Sequence, residues 1–238
     1  MNASQRFGGR SPRWSRRGFL TGALAAATAV RARGTGPADV AGPAPGGVSV
    51  LVFDVFGTVV DWRSGLIAEA GRIGRARGIA VDGPALADAW AKSYQPAMDR
   101  VRSGELPWTK LEGLLRSVAG DLLVRFGLGD LSVKEKEDFV HAWRRLPPWP
   151  DAVEGLTRLR RRRVIAPLSN ANVALLTHMA RAAGLPWDCI LSAELVRRYK
   201  PAPEVYRMVP EMFDVKPSEV MMVAAHEGGF CCGRRGRW

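Results

Sequence analysis

The sequence predicts an α/β protein with a parallel sheet, interrupted after its first strand by a block of helices. Three observations carry that prediction. A short apolar run, Val48 to Phe53, ends in an acid at Asp54. From Ala152 to Ala224, helix-like and strand-like segments alternate. Between these regions, from about Asp61 to Pro147, the apolar residues keep only a helical period. Alternation implies a parallel sheet, whose ligand sites lie at the carboxyl ends of the strands.

In chain order, residues 1–33 come first and stand apart. They hold seven arginines and no acid, more than half of the chain's formal charge of +12. Ser15-Arg16-Arg17-Gly18-Phe19-Leu20 precedes an apolar run from Thr21 to Val30. A basic stretch, a short apolar run and small residues, in that order, describe an export signal. The paired arginines ahead of Phe-Leu resemble the twin-arginine signal, which implies a periplasmic or extracellular protein. The run is too short for a stable membrane span, which takes about 20 residues. A basic tail with a chance Arg-Arg pair is the alternative. Residues 34–47 are rich in Gly, Pro and Ala and read as a linker.

Val48–Phe53 is mostly apolar, as a buried parallel strand requires. Leu66, Ile67, Ala70 and Ile73 mark one helical face. Ala85, Leu86, Ala89, Trp90 and Tyr94 mark a second, which Met98 and Val101 continue beyond Pro96. Leu111, Leu114, Leu115, Val118, Leu122 and Leu123 mark a third. Phe139, Ala142 and Trp143 mark a fourth, after Ser132 at an N-cap. These four helices form a separate unit over residues 61–147. After Pro148-Trp149-Pro150 the expected order is helix Ala152–Arg161, strand Arg163–Leu168, helix Val173–Ala183 and a short strand Cys189–Leu191. Helix Pro203–Phe213 and strand Val220–Ala224 complete it. The sheet core thus comprises residues 48–60 and 148–226, and residues 227–238 form an atypical tail with neither period.

Composition narrows the function. Apolar residues make up 47% of the chain, and the mean hydropathy of −0.08 is that of a soluble protein with a sizeable core. No basic stripe with interleaved aromatics occurs, so nucleic acid is not the expected partner. The three cysteines, Cys189, Cys231 and Cys232, follow no zinc spacing. A mildly basic body suits a small anionic substrate.

Asp54 carries the first chemical signal. A carboxylate at the tip of a buried strand projects at the edge of the sheet where ligands bind. The Gly57-Thr58 turn behind it offers backbone N–H groups to an anion. A carboxylate held there can be a covalent nucleophile; an Asx turn or helix cap is the structural alternative.

Further segments extend the pattern. Phe53-Asp54-Val55-Phe56-Gly57-Thr58, Leu168-Ser169-Asn170-Ala171-Asn172 and Tyr199-Lys200-Pro201-Ala202-Pro203-Glu204-Val205-Tyr206 resemble, in order, motifs I, II and III of the haloacid dehalogenase (HAD) superfamily. The resemblance runs from about Val48 to His226. It implies a HAD-like Rossmannoid parallel sheet core with an inserted four-helix cap domain. Superfamily phosphatases carry a second Asp two residues after the nucleophile, where this chain has Phe56. A phenyl ring neither donates a proton nor binds a metal. In this the chain is similar to type II 2-haloacid dehalogenases, which use no metal or other cofactor and expel a halide that needs no proton.

That likeness implies that Asp54 attacks the halogen-bearing carbon and forms an ester, which water then opens. It places Asp54, Lys200, Ser169 and Asn170 in the catalytic set. Thr58, Phe56, Val55, Tyr206 and His226 would surround the substrate, a short 2-haloalkanoate. A homodimer is left open. Structural alternatives stand beside these roles: a solvated lysine for Lys200, a turn or N-cap for Ser169-Asn170, an interfacial ring for Tyr206.

Two positions depart from the pattern. The family carries an arginine directly after a cap tryptophan, and here Ala91 follows Trp90, with Lys92 and Arg100 the cations nearest in sequence. The family also carries an Asp, which positions the hydrolytic water, where this chain has Gly229; Glu227 is the nearby carboxylate and Ala224 stands where a serine is common. The tail therefore reads as aberrant or truncated, with this last motif lost. The alternatives to dehalogenation are a superfamily hydrolase of another substrate, such as a phosphate ester, or an inactive truncated product.

Overall fold

The computed structural model describes residues 47–225. The twin-arginine segment, all but the last residue of the linker, His226 and the 227–238 tail lie outside them. Strand β1 (Val50–Phe53) is buried at every position. It is flanked on both sides by parallel strands, β2 (Val164–Ser169) and, from the far end of the chain, β4 (Val220–Val223). A two-residue β3 (Leu191–Ser192) extends the sheet beyond β2, so the order is β3-β2-β1-β4. The chain moves outward from β1 through β2 to β3, then returns to place β4 on the other side. Above the carboxyl ends, at β1, this reversal opens the crevice in which ligands of such sheets bind.

The expected strand at Cys189–Leu191 is displaced to Leu191–Ser192. Asp188 is the reason. Its N–H donates to the Ile165 carbonyl at 3.0 Å, and its carboxylate accepts from the Ile165 N–H at 2.9 Å. Through one backbone and one side-chain bond, Asp188 thereby occupies both ladder groups of Ile165, and regular pairing starts only at Leu191.

Between β1 and the rest of the sheet lie α1 (Trp62–Arg77), α2 (Gly83–Arg102), α3 (Leu111–Arg125) and α4 (Val133–Val140). Asp61 and Asp82 cap the first two through the Ser64 and Ala85 N–H groups. Ser132 and Glu135 close a reciprocal capping box on α4. Pro96 lies inside α2 on an exposed position, where the carbonyl it leaves unmatched can meet water. The expected fourth helix ends early: α4 stops at Val140, and His141–Arg145 tightens into a 3₁₀ turn. Pro147 and Pro148 follow, and a residue ahead of proline is driven out of the helical region. Leu146 is accordingly extended.

The core of this unit is aromatic. Trp90 stacks on Phe139 at 4.2 Å. Trp143 meets Trp90, Tyr94 and Phe56 edge-on, at 5.5, 5.8 and 5.2 Å. Burying each such ring stabilises by about 1.5–3 kcal/mol, and through Phe56 the cluster reaches the turn after β1. The chain enters and leaves the unit side by side. Asp61 N–H donates to the Pro147 carbonyl, and Trp149 N–H to the Val59 carbonyl.

Three helices complete the sheet layer: α5 (Ala152–Arg160), α6 (Val173–Ala183) and α7 (Pro203–Met212). Among the described residues no helix is long and apolar enough to cross a membrane.

Candidate active site

Asp54 follows the last residue of β1, and its N–H donates to the Val223 carbonyl at 2.9 Å. The ladder with β4 therefore holds its backbone while its side chain leaves the sheet edge. The turn behind it needs φ = +81° at Gly57, a conformation that side chains with a Cβ resist. That turn brings Thr58 back over the carboxylate. The Thr58 hydroxyl donates to Asp54 Oδ2 at 3.1 Å and accepts the Ala225 N–H at 3.0 Å. Three successive N–H groups, of Thr58, Val59 and Val60, converge on the Val55 carbonyl. The N–H groups of Val55 and Phe56 donate to no oxygen among the described residues, and stand beside Asp54 as two available donors.

Lys200 reaches the other carboxylate oxygen. Its Nζ donates to Asp54 Oδ1 at 2.8 Å and to the Leu168 carbonyl at 2.9 Å. The residue is 5% exposed, which removes the reading of a solvated lysine. Burying such a pair is expensive, and apolar residues would stabilise the fold equally well. A buried ion pair at the carboxyl edge of a sheet is the pattern of a working site.

The end of β2 supplies the third wall. Ser169, 1% exposed, accepts the Ala171 N–H on its hydroxyl at 3.2 Å. Asn170 accepts the Lys200 N–H on Oδ1 at 2.7 Å. Both residues are thus turn-formers as well as neighbours of the Asp54–Lys200 pair. The Asn170 amide N–H groups donate to no oxygen among the described residues and remain available to a ligand.

The structure brings Asp54, Thr58, Lys200, Ser169 and Asn170 together, with Phe56 alongside against Trp143. Val55 needs correction: its side chain is buried to 1% exposure, so only its backbone N–H can meet a ligand. Tyr206 is buried on α7 at 5% exposure, not set at a solvent interface. His226 lies outside the described residues, as do Glu227 and Gly229.

On the helical side, Ala91 stands where the family carries its arginine, and Lys92 and Arg100 are nearby cations out of register. None takes part. Ala91 and Lys92 line a cleft of about 550 Å³ with Trp62, Asp88 and Gln95, which Asp54 does not reach. Arg100 pairs with Glu105 at the surface. Trp90 is a packing residue. The cation that does approach is Arg102, whose Nη2 donates to the Lys200 carbonyl at 2.6 Å. Tyr94 approaches too. Burial pushes its phenol up and the Asp54 charge adds to this, against a hydrogen bond with Gln95 and the charge of Arg102. The signal for both was present: Trp90, Tyr94, Met98 and Arg102 recur every fourth residue, which sets them along one helical face.

Known proteins resemble this chain over the same residues. A profile of the haloacid dehalogenase-like hydrolase family matches residues 48–224. A solved L-2-haloacid dehalogenase is 43% identical, with a TM-score of 0.74 over 76% of this chain and 78% of its own. A defluorinating L-2-haloacid dehalogenase is 39% identical, with a TM-score of 0.73 over 76% of this chain and 75% of its own. (S)-2-haloacid dehalogenase 1 of Pseudomonas sp. (strain CBS-3) is 30% identical over 190 residues, 75% of this chain and 77% of that protein. With its three motifs gathered at the carboxyl edge of a parallel sheet, the chain belongs to the haloacid dehalogenase-like hydrolase family.

Proposed function

We propose that the protein hydrolyses the carbon–halogen bond of short 2-haloacids, giving a 2-hydroxy acid and halide through an aspartyl ester. The observation that carries this reading is the contact between Asp54 and Lys200 at 2.8 Å, beside a phenyl ring where a phosphatase needs a second acid.

The chemistry follows from that arrangement. Lys200 donates to the Asp54 carboxylate and aims it. A carboxylate oxygen attacks C2 of the haloacid from the side opposite the halogen. The C–O bond forms as the carbon–halogen bond breaks, and its electron pair leaves with the halide, so C2 inverts. No general acid is required, because halide is a very weak base. Water then adds to the carboxyl carbon of the ester. The acyl C–O bond breaks, the 2-hydroxy acid departs, the Asp54 carboxylate is restored and one proton passes to solvent. The free N–H groups of Val55 and Phe56, with the Asn170 amide, supply donors for the substrate carboxylate and for the oxyanion of the second step. The aromatic wall of Phe56, Trp143 and Tyr94 excludes water from the C–X bond, and the helical unit thereby acts as a cap. The two arginines ahead of Phe19 fit export by the twin-arginine route, so this activity would be found outside the cytoplasm.

The test is chloride release and 2-hydroxy acid formation from (S)-2-chloropropionate by the full chain. In H₂¹⁸O, a single turnover should place the label in Asp54 and leave the first product unlabelled. Label in the first product, or release of phosphate from phosphate esters in place of halide, would overturn the reading.

A further inference from the structure

Lys200 is held by four hydrogen bonds at three of its atoms. Its ammonium contacts Asp54 Oδ1 and the Leu168 carbonyl, and its N–H contacts Asn170 Oδ1. Its carbonyl accepts from Arg102 Nη2 at 2.6 Å. The N–H and the carbonyl belong to different peptide planes. Fixing both planes fixes φ and ψ at Lys200, and with them the direction of its side chain. Asn170 fixes one plane from the sheet core, and Arg102 fixes the other from the last residue of α2.

Arg102 is itself well held. Its Nη1 pairs with Asp99 one turn earlier, and its guanidinium lies 6.0 Å from the centre of the Tyr199 ring. Tyr199 is anchored in turn to the helical unit. Its hydroxyl donates to the Thr109 carbonyl at 2.6 Å, and Trp108 packs on its ring at 4.8 Å. The segment ahead of Lys200 is therefore gripped by the unit across from the sheet. No hydrogen bond or ion pair joins Arg102 to Asp54 among the described residues, and its link to the pair runs through the Lys200 carbonyl.

We infer that Arg102 is a positioning residue for the Asp54–Lys200 pair, through which the helical unit sets the aim of the ammonium. Its kinetic meaning rests on the dehalogenation reading; its structural meaning does not.

The experiment compares the full-length parent with Arg102→Gln and Arg102→Lys. In the absence of substrate, a small amine-reactive reagent is applied and Lys200 modification is read by peptide mass. Lys200 should resist in the parent and react several-fold faster in Arg102→Gln, with other lysines unchanged. With 2-chloropropionate, Arg102→Gln should lower kcat by about 10- to 100-fold, the scale of a 1 Å misplacement, while KM stays near the parent's. Arg102→Lys should recover much of kcat, since an ammonium can still give the carbonyl one hydrogen bond. Unchanged Lys200 labelling in Arg102→Gln overturns the inference, and so does a loss of kcat that merely tracks Tm in both variants. A parent that labels as expected but releases no halide refutes the dehalogenase reading and leaves the positioning role standing.

Discussion

The tip of the sheet and the interior of the helical unit meet at Phe56, and they are built on opposite principles. At the sheet tip the two charged groups are paired with each other and held by polar neighbours. Asp54 accepts from Lys200 and Thr58, Lys200 also donates to Leu168, and Asn170 and Ser169 hold backbone N–H groups. Across the boundary, the indole N–H groups of Trp90 and Trp143 are buried without a hydrogen-bond partner among the described residues. One region fixes charges by geometry, and the other supplies rings, shape and dryness. The difference teaches where error is tolerated. A charge pair in a low-dielectric crevice loses its function with one atom, whereas an aromatic cluster loses stability in proportion to the volume removed.

The sharpest way to break that contrast is Asp54→Asn. The amide keeps the shape but is no nucleophile, and halide release should fall by at least about 10⁴-fold, far more than the stability lost by leaving Lys200 unpaired explains. Turnover like the parent's would remove the assigned nucleophile. Lys200→Met comes next. It leaves Asp54 without its cation and should lower kcat by about 10²–10³-fold, as loss of one electrostatic contact in a closed site does; a chloride-release assay decides.

Glu112 in α3, a buried carboxylate, tests an ion pair of the helical side. It takes both oxygens to Arg144, at 2.5 and 2.7 Å. Burial pushes its carboxyl up, but the hydrogen bonds and charge of Arg144, with His141 and Arg116, outweigh this and hold it below the ordinary range. A carboxyl lowered in the folded state contributes stability that is complete above its unfolded value of about 4.3 and is lost as pH falls through the folded value. Glu112→Gln should therefore cost about 3 kcal/mol near neutrality, with the gap in Tm from the parent closing below pH 4. A gap that persists into acid would show that packing, not charge, is responsible.

Smaller effects should follow at the boundary itself. Thr58→Val removes one donor to Asp54 and should lower kcat about tenfold, the value of one hydrogen bond to a charged group. Trp143→Phe removes an unpartnered N–H along with some apolar area, and the two changes oppose each other. Denaturant unfolding should show a loss below about 1.5 kcal/mol, against about 3–5 kcal/mol for Trp143→Ala. A Trp143→Phe loss well above that bound would mean that the indole N–H has a partner.

Much of this molecule was legible before any coordinates. The alternation after Ala152, the helical period from Asp61 to Pro147 and the three motifs were enough to derive a parallel sheet with a helical insertion and the trio Asp54, Thr58 and Lys200. Such features are local, because period follows from which faces are buried and a turn from its glycine. Misplaced features depended on distant partners. The third strand shifted because the Asp188 side chain replaced backbone pairing on β2. The fourth helix shortened because two prolines follow it and the chain must leave there beside Val59 and Val60. The family pattern places a cation directly after Trp90, where this chain has Ala91, yet Arg102 is the cation that reaches Lys200.

The sequence by itself determined the residue types at the sheet edge and the order in which the chain delivers them. A carboxylate, a hydroxyl, an amide and an ammonium are chemical identities that survive any fold. Only the tertiary structure decided that Oδ1 and Oδ2 of Asp54 would receive different donors, that the Lys200 ammonium would be buried, and that an arginine 98 residues away would hold its carbonyl. Those facts depend on strand order and on where the end of α2 meets the Lys200 segment, which no spacing along the chain encodes.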